Sequence, residues 1–412
     1  MKRSFLFLQG VASPFFAELG KALIADGHEV VRINYCGGDF LSGYYFSAPI
    51  PYINYRGNTD GLATFYQATF DQHNITDVVL FGDTRPVHSP ALTLAKKHSL
   101  AIHVYEEGYF RPNLVTLDKG GVNANSSLSR KPKDYIGFAK NDNNARQTIK
   151  SSGGGLAIRA WHDIRYHTIN FLFKYYFPHY QSHRPVRALR EYWGWTKRFP
   201  SLFFYYNGKA KQEISKLLLS ENPFYLLPLQ LDADSQMRIH STINTVTDLI
   251  KTTIESFAKH APANSKLVIK VHPLDPWFVN YATLITATAK RFHVSEDRLV
   301  HLETGDLNAL LTRAKGTILV NSTVGTTALS LGCPVIALGT AIYDMEGLTY
   351  QGALDDFWTN AIAPDLKLFE DFQQYILQHT QINGSFYNQK GIKMAVQGSM
   401  RFLTLDDALA DE

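Results

Sequence analysis

The stretch of sequence that decides the fold lies between residues 266 and 339, where apolar runs rich in β-branched residues alternate with helix-length segments. The apolar runs are Lys266-Leu-Val-Ile-Lys-Val-His272-Pro273, Thr317-Ile-Leu-Val-Asn321-Ser322-Thr323 and Pro334-Val-Ile-Ala-Leu338-Gly339. One helix-length segment, Asp306-Leu-Asn-Ala-Leu-Leu-Thr-Arg313, precedes the second run, and another begins at Val324. This alternation is typical of a parallel β-sheet. We therefore predict strand, helix, strand, helix, strand within an α/β domain.

Polar side chains follow two of these runs at the point where each predicted strand ends. His272 and Pro273 end the first run, and Asn321-Ser322-Thr323 end the second, just before Gly325. Ligands of open α/β sheets bind beyond the carboxyl ends of the strands, and the start of a helix suits a phosphate group. The sequence therefore predicts a site for a nucleotide-linked substrate in this half of the chain.

The bulk properties fit a globular protein with two domains. The 412 residues exceed what one hydrophobic core usually supports. The net charge of +4 permits an anionic partner without requiring one. Cys36 and Cys333 fit no disulfide framework or metal spacing, which predicts a reducing, cytoplasmic environment. The apolar start of the chain ends at Gln9-Gly10, too early for a signal peptide.

The first 145 residues show the same alternation and predict an N-terminal α/β domain. The predicted strands are 4–10, 29–34, 76–80 and 101–105, and the predicted helices are 13–26 and 89–98. Cys36-Gly37-Gly38-Asp39 is predicted to be the loop after the second strand. The motif Gly-x-Gly-x-x-Gly is absent from this sequence, which disfavours NAD and FAD.

Two polar clusters of this domain come just past predicted strands, at Asp83-Thr84-Arg85-Pro86-Val87-His88 and at Glu106-Glu107-Gly108. The two adjacent glutamates form either a solvated turn or a general base, because one carboxylate beside another can have a raised pKa. Arg85 or Arg111 would hold an acidic group of a substrate through a fork-shaped contact.

Residues 146–210 differ in composition and predict a helical insertion between the domains. Eight Lys or Arg residues lie between Arg159 and Arg198, against Asp163 and Glu191, with many aromatic residues among them. This pattern fits either a membrane-contacting surface or a linker whose aromatic side chains fill the core between domains. Single-stranded nucleic acid would use similar chemistry, but the modest net charge and the lack of an RNA-binding motif argue against a nucleic-acid partner.

Residues 211–364 predict a C-terminal domain, and residues 365–412 a helical tail. The predicted strand 224–229 leads to Gln230, Asp232 and Asp234, and the helix 239–258 follows. The tail, helical from 365 to 378, is expected to brace the first domain, by analogy with two-domain sugar transferases.

Seven motifs, taken in order, carry a family resemblance. They are Phe7-Leu8-Gln9-Gly10, Gly37-Gly38-Asp39, Gly82-Asp83-Thr84-Arg85-Pro86-x-His88, Glu106-Glu107-Gly108-Tyr109-x-Arg111-Pro112, Gln230-x-x-x-Asp234-Ser235-Gln236, Lys270-x-His272-Pro273 and Asn321-Ser322-Thr323-x-Gly325. In their order and number, these motifs resemble those of the bacterial capsule polysaccharide biosynthesis and export family. The resemblance extends from the first predicted strand to about Gln351. No single motif is specific on its own.

This resemblance implies two Rossmann-like domains facing across a cleft, a GT-B-like glycosyltransferase fold. It implies a retaining enzyme that moves β-Kdo, an acidic sugar, from CMP-β-Kdo to phosphatidylglycerol or lysophosphatidylglycerol, which starts the lipid linker of a Gram-negative capsule. The expected location is the inner face of the cytoplasmic membrane, as a peripheral protein. The expected partners are CMP-Kdo, the lipid acceptor, the membrane surface and other capsule-assembly proteins, with no cofactor or metal required.

The resemblance also implies roles for individual residues. Asp234 would be the nucleophile or would stabilise the sugar cation, Glu106 or Glu107 would be the base toward the acceptor, and His272 would contact the leaving CMP. The implied donor-binding residues are Gln230, Lys270, Pro273, Asn321, Ser322, Thr323 and Gly325. The implied substrate-binding residues are Gln9, Gly10, Asp39, Asp83, Arg85, His88 and Arg111.

The chemistry of these residue types suits such a reaction independently. Breaking the bond to CMP develops negative charge on phosphate, which a histidine and hydroxyl groups would stabilise, and positive charge on the sugar, which a carboxylate would stabilise. A covalent glycosyl-aspartate would give net retention. Asp232 lies two residues from Asp234 and could exchange roles with it. Asp232-Ala-Asp234 has the letters of a metal-binding motif, but no other hard ligands lie nearby in the sequence.

Two alternatives stay open from the sequence. One is a sialyl- or UDP-sugar transferase of similar architecture, which competition by different nucleotides would separate. The other is a non-catalytic export or scaffold protein that binds a finished glycolipid and releases no nucleotide.

Overall fold

The chain folds into two units, each built around its own β-sheet. The computed structural model describes residues 2–46, 50–141, 149–153, 155–182, 188–231, 243 and 245–404. The first unit contains Met1–Ser127, Asn144–His183 and Ile376–Glu412, and the second contains Leu128–Asn143 and Arg184–Tyr375.

The elements of the described residues alternate along most of the chain. The strands are β1 (Ser4–Phe7), β2 (Glu29–Asn34), β3 (Tyr52–Asn54), β4 (Asp77–Phe81), β5 (Ala101–Glu107), β6 (Leu114–Lys119), β7 (Phe224–Pro228), β8 (Lys266–Lys270), β9 (Leu299–Leu302), β10 (Gly316–Leu319), β11 (Val335–Ala337) and β12 (Gln381–Asn383). The helices are α1 (Phe15–Ala25), α2 (Gly37–Phe46), α3 (Leu62–His73), α4 (Ser89–Lys97), α5 (Phe138–Asn141), α6 (Leu156–Leu172), α7 (Ala188–Ser201), α8 (Asn207–Leu219), α9 (Val246–His260), α10 (Tyr281–Arg291), α11 (Leu307–Arg313), α12 (Val324–Ser330), α13 (Leu354–Asn360), α14 (Leu366–His379) and α15 (Gln389–Thr404). Short 3₁₀ helices span Thr59–Gly61, Asn123–Asn125, Pro132–Asp134 and Glu296–Arg298, and a π-helical turn spans Leu202–Tyr206.

The sheet of the first unit has seven strands in the order β12-β6-β5-β4-β1-β2-β3. Strands β1 to β5 run parallel, whereas β6 is antiparallel to β5 and to β12. Every residue of β1 is buried, with Phe5 and Phe7 in one apolar cluster and Leu6 in another. Apolar side chains therefore cover both faces, which is why these strands read as continuous hydrophobic runs.

The sheet of the second unit has five parallel strands in the order β11-β10-β7-β8-β9. Leu227 and Ile269 from neighbouring strands pack with Phe257 of α9 and Trp358 of α13 in one buried cluster. The indole of Trp358 also donates to Ser256 Oγ at 2.8 Å, which satisfies its only polar atom. The predicted α/β fold with two Rossmann-like units is confirmed, one sheet being mixed and the other parallel.

The prediction for the deciding stretch missed one helix and one strand. The structure places α10 and β9 between β8 and α11, so the stretch contains four strands rather than three. Strand β9 lies at an edge of its sheet and has only four residues, three of them half-buried, and a run this short is hard to recognise as a strand from sequence.

The predicted loop at residues 36–39 is also wrong, because α2 begins at Gly37. The Asp39 carboxylate accepts a hydrogen bond from Tyr35 N at 3.1 Å across this turn. A Cβ at Gly38 would lie 2.5 Å from the ring of Tyr166, so this glycine permits close packing of an aromatic ring.

The structure divides the chain differently from the predicted boundaries. Most of the described residues of the basic, aromatic segment lie in helices, as predicted, but α6 belongs to the first unit, whereas α7 and α8 belong to the second. The end of the chain returns to the first unit, where β12 pairs with β6. Within the described ranges, no helix is both long and apolar enough to cross a bilayer.

Candidate active site

Each unit carries a set of polar side chains at the carboxyl ends of its parallel strands. In the first unit these follow or end β1, β2, β4 and β5, and in the second they follow β7, β8 and β10. The carboxyl ends of parallel strands meet at one edge of a sheet, so residues far apart in sequence come together there.

In the second unit, His272 lies two residues after β8 and is half-buried. Its Nδ1 accepts a hydrogen bond from Leu274 N at 3.1 Å, so Nδ1 carries no proton. In the neutral ring the proton is therefore on Nε2, which makes that nitrogen a hydrogen-bond donor. A donor with a fixed direction is suited to an anionic group.

The loop that carries His272 rests on Arg198, a fully buried residue of α7. Arg198 Nη1 donates to the carbonyl oxygens of His272 at 2.9 Å and Pro273 at 3.3 Å, and also to that of Asp275. Arg198 Nη2 donates to both the carbonyl and the carboxylate of Glu303, at 3.2 and 3.3 Å. Burial lowers the pKa of Arg198, and the nearby carboxylates of Glu303 and Asp275 partly offset this by raising it. One guanidinium thus joins four backbone carbonyls around the loop.

Two neighbours of Arg198 on α7 also contact this loop. Trp195 Nε1 donates to Leu274 O at 2.9 Å. A Cβ at Gly194 would lie 2.1 Å from Pro276 O, so only glycine lets the helix approach this closely. In the sequence, Arg198 is one of the eight cations of the insertion, and its support of this loop is not predictable there because its partners lie 74 or more residues away.

Lys270, predicted to bind the donor, is the last residue of β8 and is 5% exposed. Burial, and secondly the charge of Arg198, lower the pKa of its ammonium group. Its position at the strand end is as predicted.

Gln230 and Asn321 connect the ends of β7 and β10. Gln230 Nε2 donates to Asn321 Oδ1 at 3.0 Å, and Asn321 N donates to Gln230 Oε1 at 3.3 Å. This reciprocal pair fixes the start of the turn that presents Ser322 and Thr323. Asp232, Asp234, Ser235 and Gln236 lie outside the described residues.

The turn after β10 is held from behind by Tyr343. Tyr343 OH donates to Ser322 O at 2.6 Å, and Ser322 Oγ accepts from Val324 N at 3.2 Å. A Cβ at Gly325 would lie 2.2 Å from the Tyr343 ring. Gly325, predicted to bind the donor, thus has a packing reason for being glycine.

In the first unit, Gln9 and Asp39 form a buried network with two tyrosines. Gln9 Nε2 lies 3.1 Å from Asp39 Oδ2, 3.1 Å from Tyr166 OH and 3.0 Å from Tyr180 OH. Tyr166 OH donates to Asp39 Oδ1 at 2.7 Å. Gln9 is only 2% exposed. Gln9 and Asp39, both predicted to bind substrate, are therefore hydrogen-bonded to protein groups: Tyr166 of α6 and, for Gln9, also Tyr180 in the segment after it.

The turn after β4 holds the other predicted ligands. Asp83 Oδ2 accepts from Val122 N at 3.0 Å and from Asn125 Nδ2 at 3.1 Å. Arg85 Nη1 donates to Gly10 O at 3.0 Å. These contacts connect the ends of β1 and β4 with the segment after β6.

His88 is fully buried behind the same turn. Its Nδ1 lies 2.7 Å from Gly82 O, a carbonyl that can only accept, so Nδ1 carries the proton. Nε2 is buried and has no hydrogen-bond partner among the described residues. Burial, and secondly the charge of Arg85, lower the pKa of His88 to about 3, so the ring is neutral at physiological pH.

The two adjacent glutamates are the last residues of β5 rather than the start of a turn beyond it, which corrects the prediction. Glu107 Oε1 accepts from Tyr387 OH at 2.8 Å and pairs with Arg159 Nη1 at 3.1 Å. Glu106 Oε1 accepts from Glu107 N at 3.0 Å, and its Oε2 lies beside Gly82, 3.6 Å from where a Cβ would be. Successive residues of a strand face opposite sides of the sheet, so the two carboxylates have different surroundings.

Arg111, exposed in the turn between β5 and β6, donates through Nε to Gly108 O at 3.2 Å. Tyr387 and Arg159, which hold Glu107, were not identified from sequence, because they lie 280 and 52 residues from it. Within the described ranges, no three His, Cys, Asp or Glu side chains form a metal-binding group.

Comparison with known proteins identifies the family. A family model described as capsule polysaccharide biosynthesis protein matches residues 76–387. The capsule polysaccharide modification protein LipB of Neisseria meningitidis serogroup B is 34% identical over 387 residues, covering 93% of this chain and 91% of LipB. The capsule polysaccharide export protein KpsS of Escherichia coli is 32% identical over 387 residues, covering 93% of this chain and 97% of KpsS.

Among solved structures, the β-Kdo 2,7 transferase KpsC of Thermosulfurimonas dismutans matches 97% of this chain and 99% of its own. The identity is 12% and the TM-score 0.47, too low to transfer an activity. The family match and the two full-length relatives confirm the resemblance seen in the motifs. The chain belongs to the capsule polysaccharide biosynthesis protein family.

Proposed function

We propose that this protein is a retaining glycosyltransferase with a GT-B-like fold that moves β-Kdo from CMP-β-Kdo to a phosphatidylglycerol or lysophosphatidylglycerol acceptor. The transfer would start the lipid linker of a capsule. The observation that carries the proposal is the loop of His272, whose Nε2 proton and whose backbone are fixed by Leu274 N and Arg198. A pre-oriented donor at a strand end suits the departing phosphate of a nucleotide.

The second unit would bind the donor. His272 would donate through Nε2 to the phosphate of CMP, and the Ser322 and Thr323 hydroxyls would stabilise the charge that develops there. The Gln230–Asn321 pair, joined by two hydrogen bonds, would keep this turn in position. Asp234 would take the sugar as a covalent intermediate, and its release to the acceptor gives net retention.

The first unit would supply the base. Glu107 is paired with Arg159 and Tyr387, so its charge is already used to hold protein groups. Glu106 lies at the β4 turn, beside Gly82. We assign Glu106 as the base that removes the proton of the acceptor hydroxyl, because its Oε2 faces the turn that also carries Asp83 and Arg85, and Glu107 as a positioning residue. Arg111 would hold the carboxylate of Kdo through its terminal nitrogens.

The test is CMP release from CMP-β-Kdo by the purified full-length protein, with and without a phosphatidylglycerol acceptor. We expect release that depends on the acceptor, together with a lipid product heavier by one Kdo. Inhibition by cytidine rather than uridine nucleotides separates this activity from a UDP-sugar transferase. No release with any acceptor, from folded protein, would contradict the proposal.

The name of one relative favours an alternative, since KpsS is called an export protein. A non-catalytic export role predicts that the protein binds a finished glycolipid and releases no nucleotide. It also predicts that His272→Ala retains function in capsule export, because no leaving group has to be stabilised.

A further inference from the structure

Helix α6 is amphipathic, but its polar face is turned toward the protein and its apolar face toward the solvent, the opposite of an ordinary surface helix. Its polar side chains face the protein: Arg159 Nη1 pairs with Glu107 at 3.1 Å, and His162 Nε2 lies 3.0 Å from Tyr387 O. Farther along, Tyr166 OH donates to Asp39. These residues recur at three- and four-residue intervals, which places them on one face of the helix.

The other face of α6 is apolar and exposed. Trp161, Phe171 and Leu172 are 63%, 62% and 67% exposed, and Ile164 and Tyr175 belong to the same exposed set. Tyr175 lies three residues beyond the end of α6, and the other four recur at helical spacing within its 17 residues, a length of about 25 Å. A surface helix normally turns such residues inward and its polar residues outward. The reversal indicates that the outer face meets an apolar partner.

The charges beside this face indicate the kind of partner. Apart from Arg159, which pairs with Glu107 on the inner face, residues 155–182 contain the cations Arg165 and Lys174 and a single acidic residue, Asp163. Lys174 Nζ lies over the rings of Phe171 and Tyr175, at 5.5 and 4.7 Å from their centroids. Aromatic rings with cations among them suit the boundary between the headgroups and acyl chains of anionic lipid.

We propose that the outer face of α6, defined by Trp161, Ile164, Phe171 and Leu172 together with Tyr175 just after the helix, docks the first unit on an anionic phospholipid bilayer. The apolar stripe enters the headgroup region while Lys174 stays at the level of the lipid phosphates. This inference rests on the proposed function for its purpose, since the proposed acceptor is a lipid. The docking itself requires neither donor nor turnover.

The docking face is connected to the carboxyl edge of the first sheet. Two side chains on the inner face of α6 contact Glu107 and Asp39, both at that edge. A bilayer under α6 would therefore lie one helix diameter, about 10 Å, from the carboxylates. A lipid acceptor would need to move only a short distance out of the membrane.

The experiment is sedimentation of the full-length protein with vesicles of phosphatidylcholine, with and without phosphatidylglycerol. We expect binding only to vesicles that contain phosphatidylglycerol, and a decrease of binding with salt. The double substitution Trp161→Ser with Phe171→Ser removes two inserted rings and should weaken binding about tenfold or more. Ile362→Ser is the matched control: Ile362 is 70% exposed, lies in the second unit, and should have no effect.

A second exposed aromatic set, in the second unit, sharpens the test. Trp193, Phe203, Phe204 and Tyr205 are exposed there. If Phe203→Ser with Phe204→Ser abolishes vesicle binding while the α6 double variant binds normally, the proposal is wrong. It is also wrong if wild type does not bind anionic vesicles, or if the α6 double substitution instead dissolves a dimer or another protein complex in the absence of lipid.

Turnover on a short-chain, water-soluble phosphatidylglycerol separates this inference from the proposed function. If the α6 double variant turns over that acceptor normally but loses vesicle binding, both proposals are supported. If no variant or wild type turns over any acceptor, yet the α6 double substitution removes vesicle binding, the docking is supported and the transferase is not.

Discussion

At the scale of single residues, hydrogen-bond partners divide groups that the sequence leaves equivalent. Glu106 and Glu107 are adjacent and identical in type, yet Glu107 alone pairs with Arg159 and Tyr387 in the described contacts. His272 follows strand β8 and His88 directly precedes helix α4; His88 donates through Nδ1, whereas Nδ1 of His272 accepts. The environment, rather than the residue type, therefore assigns the chemical role.

The two glutamates give the first mutational prediction. Glu106→Gln keeps the shape of the side chain but removes the base, so kcat should fall about 100-fold or more with unchanged stability. Glu107→Gln removes the charge that Arg159 and Tyr387 bind, so stability should fall by about 1 kcal/mol, with a smaller loss of kcat. Steady-state rates and urea unfolding of both variants provide the measurement.

Each variant is the matched control of the other, because the substitution is the same at adjacent positions. In the Glu106→Gln enzyme, the acidic limb of the pH–rate profile should also disappear. The assignment is reversed if Glu107→Gln loses more rate and keeps its stability.

At the scale of elements, helix α7 supports the candidate site through its contacts with the His272 loop. Arg198 holds four carbonyl groups around the His272 loop, and the close approach of Gly194 to Pro276 O sets the distance between helix and loop. Arginine suits this task because its planar guanidinium presents five donors in a fixed geometry. Arg198 is thus a positioning residue for His272.

Arg198→Lys keeps the charge but loses the planar set of donors. We expect kcat/KM for the nucleotide sugar to fall about 10- to 100-fold, since His272 would no longer be fixed against the leaving group. The free energy of unfolding should fall by about 2 kcal/mol, because buried carbonyls lose donors. Lys197→Met is the control: Lys197 is exposed and lies over the Trp193 ring, so its loss should leave both quantities unchanged.

A readout other than rate separates positioning from plain stability. The single substitution His272→Ala should remove most of the activity. Adding Arg198→Lys to the His272→Ala variant should cost little more activity but should still lower the free energy of unfolding by about 2 kcal/mol. If the two rate losses multiply instead, Arg198 does not act through His272.

The buried strands of the two sheets were predicted from the sequence more reliably than the short strands at the sheet edges. Strands β1, β2, β4, β7, β8 and β10 are apolar runs buried on both faces, and their positions were predicted within a few residues. Strands β9 and β12 lie at sheet edges and have only four and three residues, and a run this short is a weak signal for a strand.

For the candidate site, the sequence places His272 and Asn321 just beyond their strands, as the structure does, because the carboxyl ends of parallel strands meet at one edge of their sheet. The residues that hold them were not predicted. Arg198 and Tyr387 act across 74 and 280 residues of sequence, and no local pattern carries such a contact. For α6, the sequence showed only that aromatic residues are frequent. Which of them point outward depends on which side of the helix packs against the protein, and this is not encoded locally.

At the scale of the whole molecule, the end of the chain completes the unit that its beginning starts. Strand β12 joins the sheet beside β6, and Ile392 and Leu403 of α15 enter the same apolar cluster as Phe5 and Phe7 of β1. Nearly the whole chain therefore has to be present before the first unit can bury its core. Its stability then depends on groups buried far from either terminus, of which His88 is the clearest titratable example.

His88 predicts how stability depends on pH. Its pKa is about 3 in the folded protein, lowered from 6.5, so below pH 6.5 the unfolded chain binds a proton that the folded protein does not. The contribution of His88 to the free energy of unfolding is therefore fully present above pH 6.5 and is lost as the pH decreases toward 3. Between pH 7.5 and pH 5 the loss from this one group should be about 2 kcal/mol.

The measurement is urea unfolding at several pH values between 7.5 and 5, for wild type and for His88→Asn. An asparagine amide can donate to Gly82 O in place of Nδ1, but it does not titrate. The variant should be less stable at pH 7.5, because the smaller side chain leaves a cavity. Its stability should nevertheless change less with pH, so the two curves should converge by about 2 kcal/mol at pH 5. Parallel curves would show that His88 takes up its proton in the folded protein as readily as in the unfolded chain.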